Sequence, residues 1–247
     1  ILPRIQKNSS SQIIVSISIG KTNSTQTNTN SSGIRDYFEC LKKVIASGKG
    51  DFYTINISCP NTFGGEPFTT PEHLSKLLKK MYSLKIKKPV FLKMPINLNW
   101  NDFDQLLTVA IHYKVTGIII GNLNKNYADL DYRDEAPEDY CGGLSGKPCI
   151  EISNELIKKT REAYGKRFTI IGCGGVMSAE DMKAKFEAGS DLIQLITGMI
   201  YNGPGFIKEL AKESGMKTLY DNGLKKVEEG ITSLEEALSV TLIGGES

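Results

Sequence analysis

The chain has 247 residues, 40% hydrophobic and 23% charged, with a net charge of +2, which suits one large domain with its own core. Its lysines are spread without a stripe, which argues against a nucleic-acid partner; no apolar run approaches the ~20 residues that span a bilayer, and no secretory leader pattern is seen. Five cysteines (Cys40, Cys59, Cys141, Cys149, Cys173) without CxxC spacing, with only His73 and His112 beside them, build no metal site and suit reduced thiols in a cytosolic setting.

Strands are predicted near 13–19, 52–57, 90–93, 117–121, 168–172 and 192–197, with helices at 34–46, 71–82, 100–113, 153–164, 179–188 and 205–213. This alternation favours a parallel sheet with right-handed crossovers. The polar run Thr22 to Ser32 cannot bury apolar area and is expected as a mobile surface loop. Thr70 before Pro71 and Ser178 before Ala179 are helix start signals, and Leu74, Leu77, Leu78 and Met81 give one buried helix face.

The second strand ends in Asn56-Ile57-Ser58-Cys59-Pro60-Asn61-Thr62. A strand's C-terminal end is where parallel α/β folds bind ligands. A thiol there can take a proton or attack an electrophile, with Asn56 and Asn61 holding a planar polar substrate; the alternative is a small inert cysteine among turn-forming asparagines. The Gly- and Pro-rich run 63–70 is a candidate lid over Cys59. The acidic connection 124–140 reads most simply as solvated surface.

Further on, Lys93 is a lone lysine inside the apolar run Val90-Phe91-Leu92-Lys93-Met94-Pro95, which weakens a reading as a snorkelling surface residue. Gly172, Gly174 and Gly175 follow a strand and Ser178 precedes a helix, so backbone N–H groups can receive a phosphate at that helix's N-terminus, or the glycines form a plain tight turn. Thr197-Gly198 would supply the other half of a cradle after the last strand. Gly-x-Gly-x-x-Gly spacing is missing, so a Rossmann NAD site is not expected.

In order along the chain, these motifs resemble those of the dihydroorotate dehydrogenases. Asn56 to Thr62 resembles their catalytic loop, Lys93 their strand-end lysine beside the flavin, and Asn122 in Gly117-Ile118-Ile119-Ile120-Gly121-Asn122 their second substrate-binding asparagine strand. Cys141-Gly142-Gly143-Leu144-Ser145-Gly146-Lys147-Pro148 resembles the family's Gly-Leu-Ser-Gly loop. Ile170 to Val176 resembles its phosphate turn, and Gln194-Leu195-Ile196-Thr197-Gly198 its closing strand. The resemblance runs from about residue 13 to 210.

It implies a (β/α)8 TIM-type barrel binding FMN and oxidising dihydroorotate to orotate in de novo pyrimidine biosynthesis. Cys59 would be the general base; Asn56, Asn61 and Asn122 would bind substrate. Ser18, Lys93, Ser145, Gly146, Gly174, Gly175, Thr197 and Gly198 would hold the cofactor. Ser18 stands where the quinone-using branch has a flavin-contacting asparagine, Gly121 and Leu123 where it has threonines, and Ile196 where it commonly has tyrosine. Cys59 is the base type of the soluble branch, yet Ile19-Gly20-Lys21 and Gly143 to Lys147 resemble the quinone branch, so the electron acceptor, quinone or soluble, stays open. The small-molecule partners are dihydroorotate and orotate, a second copy of the chain is a further candidate partner, and the expected location is cytoplasmic, with membrane association in a full-length quinone-using form.

The six strands match the family's third to eighth, so the chain reads as lacking the first two strands, with a barrel portion at 1–210 and a helical tail at 211–247. Residues 215–241 resemble the C-terminal end of type IV pilus and type II secretion assembly ATPases, with a Gly230 break and a Thr232 cap. The Walker lysine loop is absent from the sequence, so ATPase activity does not carry over. The alternative function is a non-catalytic barrel fragment that binds a phosphate ligand, or a partner through its tail.

Overall fold

The computed structural model describes residues 13–59, 65–130, 142–213, 225–231 and 233–236. Among them six strands alternate with helices: β1 (Ser16–Gly20), α1 (Asn30–Ala46), β2 (Phe52–Asn56), α2 (Pro71–Tyr82), β3 (Val90–Met94), α3 (Trp100–His112) and β4 (Gly117–Ile120). Then come α4 (Ile150–Tyr164), β5 (Thr169–Cys173), α5 (Ala179–Glu187), β6 (Leu192–Gln194), α6 (Thr197–Asn202) and α7 (Phe206–Glu213).

Every pairing is parallel, and the spatial order β1 to β6 is the sequence order. Each crossover therefore steps the same way, and right-handed crossovers that never reverse put the helices on one face. This is the winding of a (β/α) barrel, whereas a doubly wound sheet reverses and has helices on both faces. Among the described residues β1 and β6 do not pair with each other, so the sheet is open.

The pleat sorts the side chains. Tyr53, Ile55, Val90, Leu92, Ile118, Ile120 and Ile170 face the helices and share one core with Leu41, Leu74, Leu77, Leu78, Phe103, Leu106 and Ile157. Phe91, Ile119 and Ile171, flanked by Phe52 and Cys173, form a small cluster on the other face. Strands buried on both sides read as continuous apolar runs, as in Gly117-Ile118-Ile119-Ile120. In α2 the predicted Leu74, Leu77, Leu78 and Met81 are all buried, and Pro71 starts the helix.

The segment 22–32 departs from its expected mobility. It holds a 3-10 turn at Thr25–Thr27 and the first residues of α1. Thr29 accepts from Ser32 N while the Ser32 hydroxyl reaches back to Thr29 N, a reciprocal cap. Thr27 is buried, and Asp36 accepts from Thr22 N and Thr22 Oγ1. The run is polar because its hydroxyls cap and turn the backbone. At the other end β6 stops at Gln194 because Ile196 leaves extended backbone (φ −142°, ψ −49°) and α6, unforeseen from the sequence, begins at Thr197.

Phe206 and Leu210 of α7 pack with Val176 and Ala179 in a separate small core. Residues 225–228 and 234–236 are helical, and among the described residues from 225 to 236 all but Val227 are exposed. Gly230 takes the left-handed φ expected of a helix break (+69°); the Thr232 cap lies outside the described residues. No described helix is long and apolar enough to cross a membrane.

Candidate active site

The register sets strand ends side by side: Gly20 against Asn56, Asn56 against Lys93, and Cys173 against Gln194. Over the ends of β3 to β6 lies a groove of about 80 Å³. Its lining gathers Lys93, Asn122, Ser145, Gly146, Gly174, Gly175, Thr197 and Gly198, drawn from five separate parts of the chain. Cys149 and Cys173 also line it.

One wall is bare backbone because side chains do not fit there. Gly175 has φ +82°, and a Cβ on it would lie 2.0 Å from Ile150 Cγ1 and 3.0 Å from Gly146 O. A Cβ on Gly198 would meet Val176 O at 2.3 Å. Gly146, at φ +79°, places its Cβ position 3.4 Å from Thr197 Cγ2, so the Gly-Leu-Ser-Gly loop and the start of α6 close on each other. The N–H groups of a first helical turn have no intrahelical acceptor. Positive-φ glycines beside such N–H groups make a concavity that suits an anion.

The start of α5, expected to receive a phosphate, is taken by the chain's own carboxylates. Asp181 accepts from Met177 N at 2.9 Å, Ser178 Oγ caps Asp181 N, and Glu180 sits in the same turn. Two acidic side chains there repel a second anion. Gly172 is also outside the groove: its Cβ position meets the Lys185 stem at 2.7 Å, on the helix side of β5.

Asn56, Ser58 and Asn122 form one network whose amide orientations are set by obligate roles. Ser58 N–H can only donate, and it donates to Asn56 Oδ1 at 3.2 Å. Ser58 O can only accept, and it accepts from Asn122 Nδ2 at 2.6 Å. The fully buried Ser58 hydroxyl lies 2.7 Å from Asn122 Nδ2 and 3.0 Å from Lys93 O. The atoms outside this network are Asn56 Nδ2, a donor, and Asn122 Oδ1, an acceptor. Lys93 Nζ reaches across the open face toward Gln194 Oε1 at 3.5 Å.

Cys59 is half-buried and borders a second, much smaller space with Lys21, Tyr37, Pro67 and Phe68. The Tyr37 hydroxyl donates to Asn56 O at 2.6 Å, which ties this side to the asparagine network. Burial holds the Tyr37 phenol far above its usual range. The nearly buried Lys21 is pulled below its ordinary value by burial, with Asp36 and Cys59 opposing. Of the run 63–70 proposed as a lid, residues 63 and 64 lie outside the described residues, as does Asn61 of the substrate clamp; Phe68 is buried against Tyr37 at a 5.5 Å ring separation. Ser18 is exposed on β1, in register with Thr54, and does not line the groove.

Two groups escaped the sequence reading. Asn124 is fully buried: its Oδ1 accepts from Asn97 Nδ2 (2.8 Å) and Asn126 N (2.9 Å), and its Nδ2 donates to Pro148 O (2.9 Å). Its backbone exchanges two hydrogen bonds with Leu144, which staples the loop after β4 to the Gly-Leu-Ser-Gly loop. Cys149, buried, faces Leu144 O at 3.3 Å and Asn122 O at 3.6 Å, and burial pushes its thiol up. Neither has a local signature, since both act through partners about 20 or more residues away or within an irregular loop. Of the acidic connection, residues 131–141 lie outside the described residues.

The family model described as Dihydroorotate dehydrogenase matches residues 1–217. Proteins named dihydroorotate dehydrogenase (quinone) from Brucella ovis and Brucella canis are 32% identical to this chain over 241 residues, covering 94% of it and 62% of their own length. A protein of the same name from Cyanothece sp. is 32% identical over 230 residues, covering 90% and 60%. The chain thus spans about three fifths of the length of these relatives. A crystal structure of ligand-free DHODH from Eimeria tenella superposes with a TM-score of 0.73 at 21% identity, over 94% of this chain and 65% of that one. The Eimeria tenella enzyme in complex with ferulenol gives 0.66 at 21%, over 91% and 61%. These superpositions carry the barrel fold. The likeness of the tail to assembly ATPases gains no support, because the family model continues to residue 217 and the Brucella alignments take in 94% of the chain. With the motifs in order, strands wound as in a barrel and a family match over most of its length, the chain belongs to the dihydroorotate dehydrogenase family.

Proposed function

We propose that this chain carries the FMN- and substrate-binding part of a dihydroorotate dehydrogenase, which oxidises dihydroorotate to orotate in de novo pyrimidine biosynthesis. The observation that carries this is the convergence of Lys93, Asn122, Ser145, Gly146, Gly174, Gly175, Thr197 and Gly198 on one groove. A Cβ would fill its glycine wall, and backbone donors line it, which fits a phosphate monoester. Gly174, Gly175, Thr197 and Gly198 would hold the FMN phosphate, Ser145 and Gly146 the adjoining chain, and Lys93 the ring edge. Bound FMN would supply the acceptor for the hydride leaving C6 of dihydroorotate.

The remaining work falls to the chain's own side chains. Cys59 Sγ takes the proton from C5, as a thiolate or through a hydrogen-bonded neighbour. Asn56 Nδ2 donates to a carboxylate or carbonyl oxygen of the substrate, and Asn122 Oδ1 accepts from a ring N–H, so the pair reads both polarities of a cyclic diamide. Asn61 is assigned to the same clamp by its motif. Ser18, exposed on β1, remains assigned to the flavin by motif alone. The relatives named for quinone support quinone as the electron acceptor, which would place the full-length protein at a membrane surface. Residues 1–210 form the barrel portion in this reading, and the tail from 211 is an appendage.

The test is reconstitution with FMN and reduction by dihydroorotate. Purified protein is expected to be yellow, or to take up FMN, and dihydroorotate should bleach the flavin band. Cys59→Ala is expected to keep FMN binding and slow bleaching at least ~100-fold. Unaltered bleaching in that variant removes Cys59 as the base. FMN binding without any bleaching favours the phosphate-binding fragment, and a colourless protein that takes up no FMN defeats the proposal.

A further inference from the structure

Lys185 of α5 is fully buried, and its ammonium donates to two neutral oxygens, Ser153 Oγ and Asn154 Oδ1, each at 2.8 Å. No described carboxylate forms an ion pair with it. Burying a cation without a counter-charge is costly, so the position calls for a reason. A neutral donor would serve equally well if Lys185 only tied α5 to α4.

Its surroundings are built to admit it. Gly172 gives up a side chain to the Lys185 stem, since a Cβ there would lie 2.7 Å from both Cγ and Cδ. Ser153 Oγ, the first partner of the ammonium, lies 3.7 Å from the Cβ position of Gly174. The cation therefore sits one hydroxyl behind the glycine turn that walls the groove. Water does not reach it, and a charge in a dry interior acts over a longer range than one in solvent. The groups facing it are Cys173 of β5, Cys149 before α4 and Asp181 on its own helix; burial nevertheless brings its pKa down to about 8.

We infer that Lys185 is a positioning residue of the phosphate site, whose buried ammonium acts through Ser153 and the Gly174-Gly175 turn to favour a phosphate dianion in the groove. The inference rests on the FMN reading above. An anion on the far side of the turn supplies the missing counter-charge, so phosphate binding and protonation of Lys185 favour each other. Binding should then weaken as pH rises through about 8.

The experiment titrates the protein with FMN and with riboflavin, the same ring without the phosphate, using wild type, Lys185→Gln and Lys185→Met. Gln keeps a donor for Ser153 or Asn154 but has no charge. Both variants are expected to lose roughly tenfold in FMN affinity with riboflavin affinity unchanged. In wild type the preference for FMN over riboflavin should shrink between about pH 7 and pH 9, while in the variants it stays flat. Full FMN preference in Lys185→Gln overturns the inference, as does equal weakening of both ligands. The wild-type pH series decides by itself if neither variant folds: a constant FMN-to-riboflavin ratio overturns it. Wild type that binds neither flavin instead defeats the FMN reading on which the inference stands.

Discussion

Asn124 illustrates how much a single buried amide can organise. All of its side-chain polar atoms are spent on Asn97, Asn126 and Pro148, and its backbone on Leu144. Asn124→Ala leaves the Asn97 amide and Pro148 carbonyl without this partner, which costs about 1–3 kcal/mol. Denaturant unfolding should register that loss, and FMN affinity should fall with it because Ser145 and Gly146 lose their tether. Gly175→Ala acts by a different route, since the new methyl meets Ile150 Cγ1 at 2.0 Å and the φ of +82° disfavours any side chain. It is expected to abolish FMN binding in a titration while the far-ultraviolet circular dichroism stays near wild type.

At the scale of elements, Asp191 joins β5 to β6 and α4. Its carboxylate accepts from Ile170 N at 2.8 Å, Arg161 at 2.6 Å and Lys166 at 3.0 Å. Burial alone would raise its pKa, but the Ile170 N–H and the Lys166 and Arg161 cations together outweigh it and hold the carboxyl below 3.8. A depressed carboxyl pKa adds stability above the unfolded value, and that stability is lost as pH falls through the folded value. Asp191→Asn is expected to cost about 1–3 kcal/mol at neutral pH. The difference between variant and wild type should close as denaturation is repeated toward pH 3.

The strands, the helix layer and the core face of α2 were legible because each rests on a periodic apolar pattern. The ordered start of α1 was not: Thr29 and Ser32 look like any polar loop until their reciprocal hydrogen bonds are seen. The same limit hid α6. Ile196 and Thr197 continue a strand-like run, and only packing of Gly198 against Phe206 and the Val176 carbonyl turns the chain there.

For the whole molecule, Lys185 couples stability to pH in the same sense as Asp191, because both folded values are lowered, but here rising pH relieves a penalty instead of restoring a favourable interaction. Its folded value, lowered from 10.5 to about 8, means the unfolded chain binds the proton more tightly. The penalty is fully present below pH 8 and is relieved as pH rises toward 10.5. A gap of this size corresponds to roughly 3 kcal/mol at 1.36 kcal/mol per unit. Wild type minus Lys185→Met, followed by denaturant unfolding without flavin, should therefore rise between about pH 8 and pH 10. A flat difference would show that the Lys185 ammonium holds its proton as tightly in the folded chain as in the unfolded one.

The sequence alone determined the strand-helix alternation, the family and the identity of the groove residues, because apolar periodicity and short motifs are local and survive without contacts. Tertiary structure decided which of those residues meet. Parallel register and one-way winding brought Lys93, Asn122, Gly146, Gly175 and Gly198 to one end of the sheet, while Ser18 stayed exposed on β1. It also set the amide orientations of Asn56 and Asn122, put Asp181 and Ser178 on the N–H groups at the start of α5, and placed Lys185 behind the turn. Those outcomes depend on hydrogen bonds and close approaches between distant segments, and such pairings leave no periodic trace along the chain.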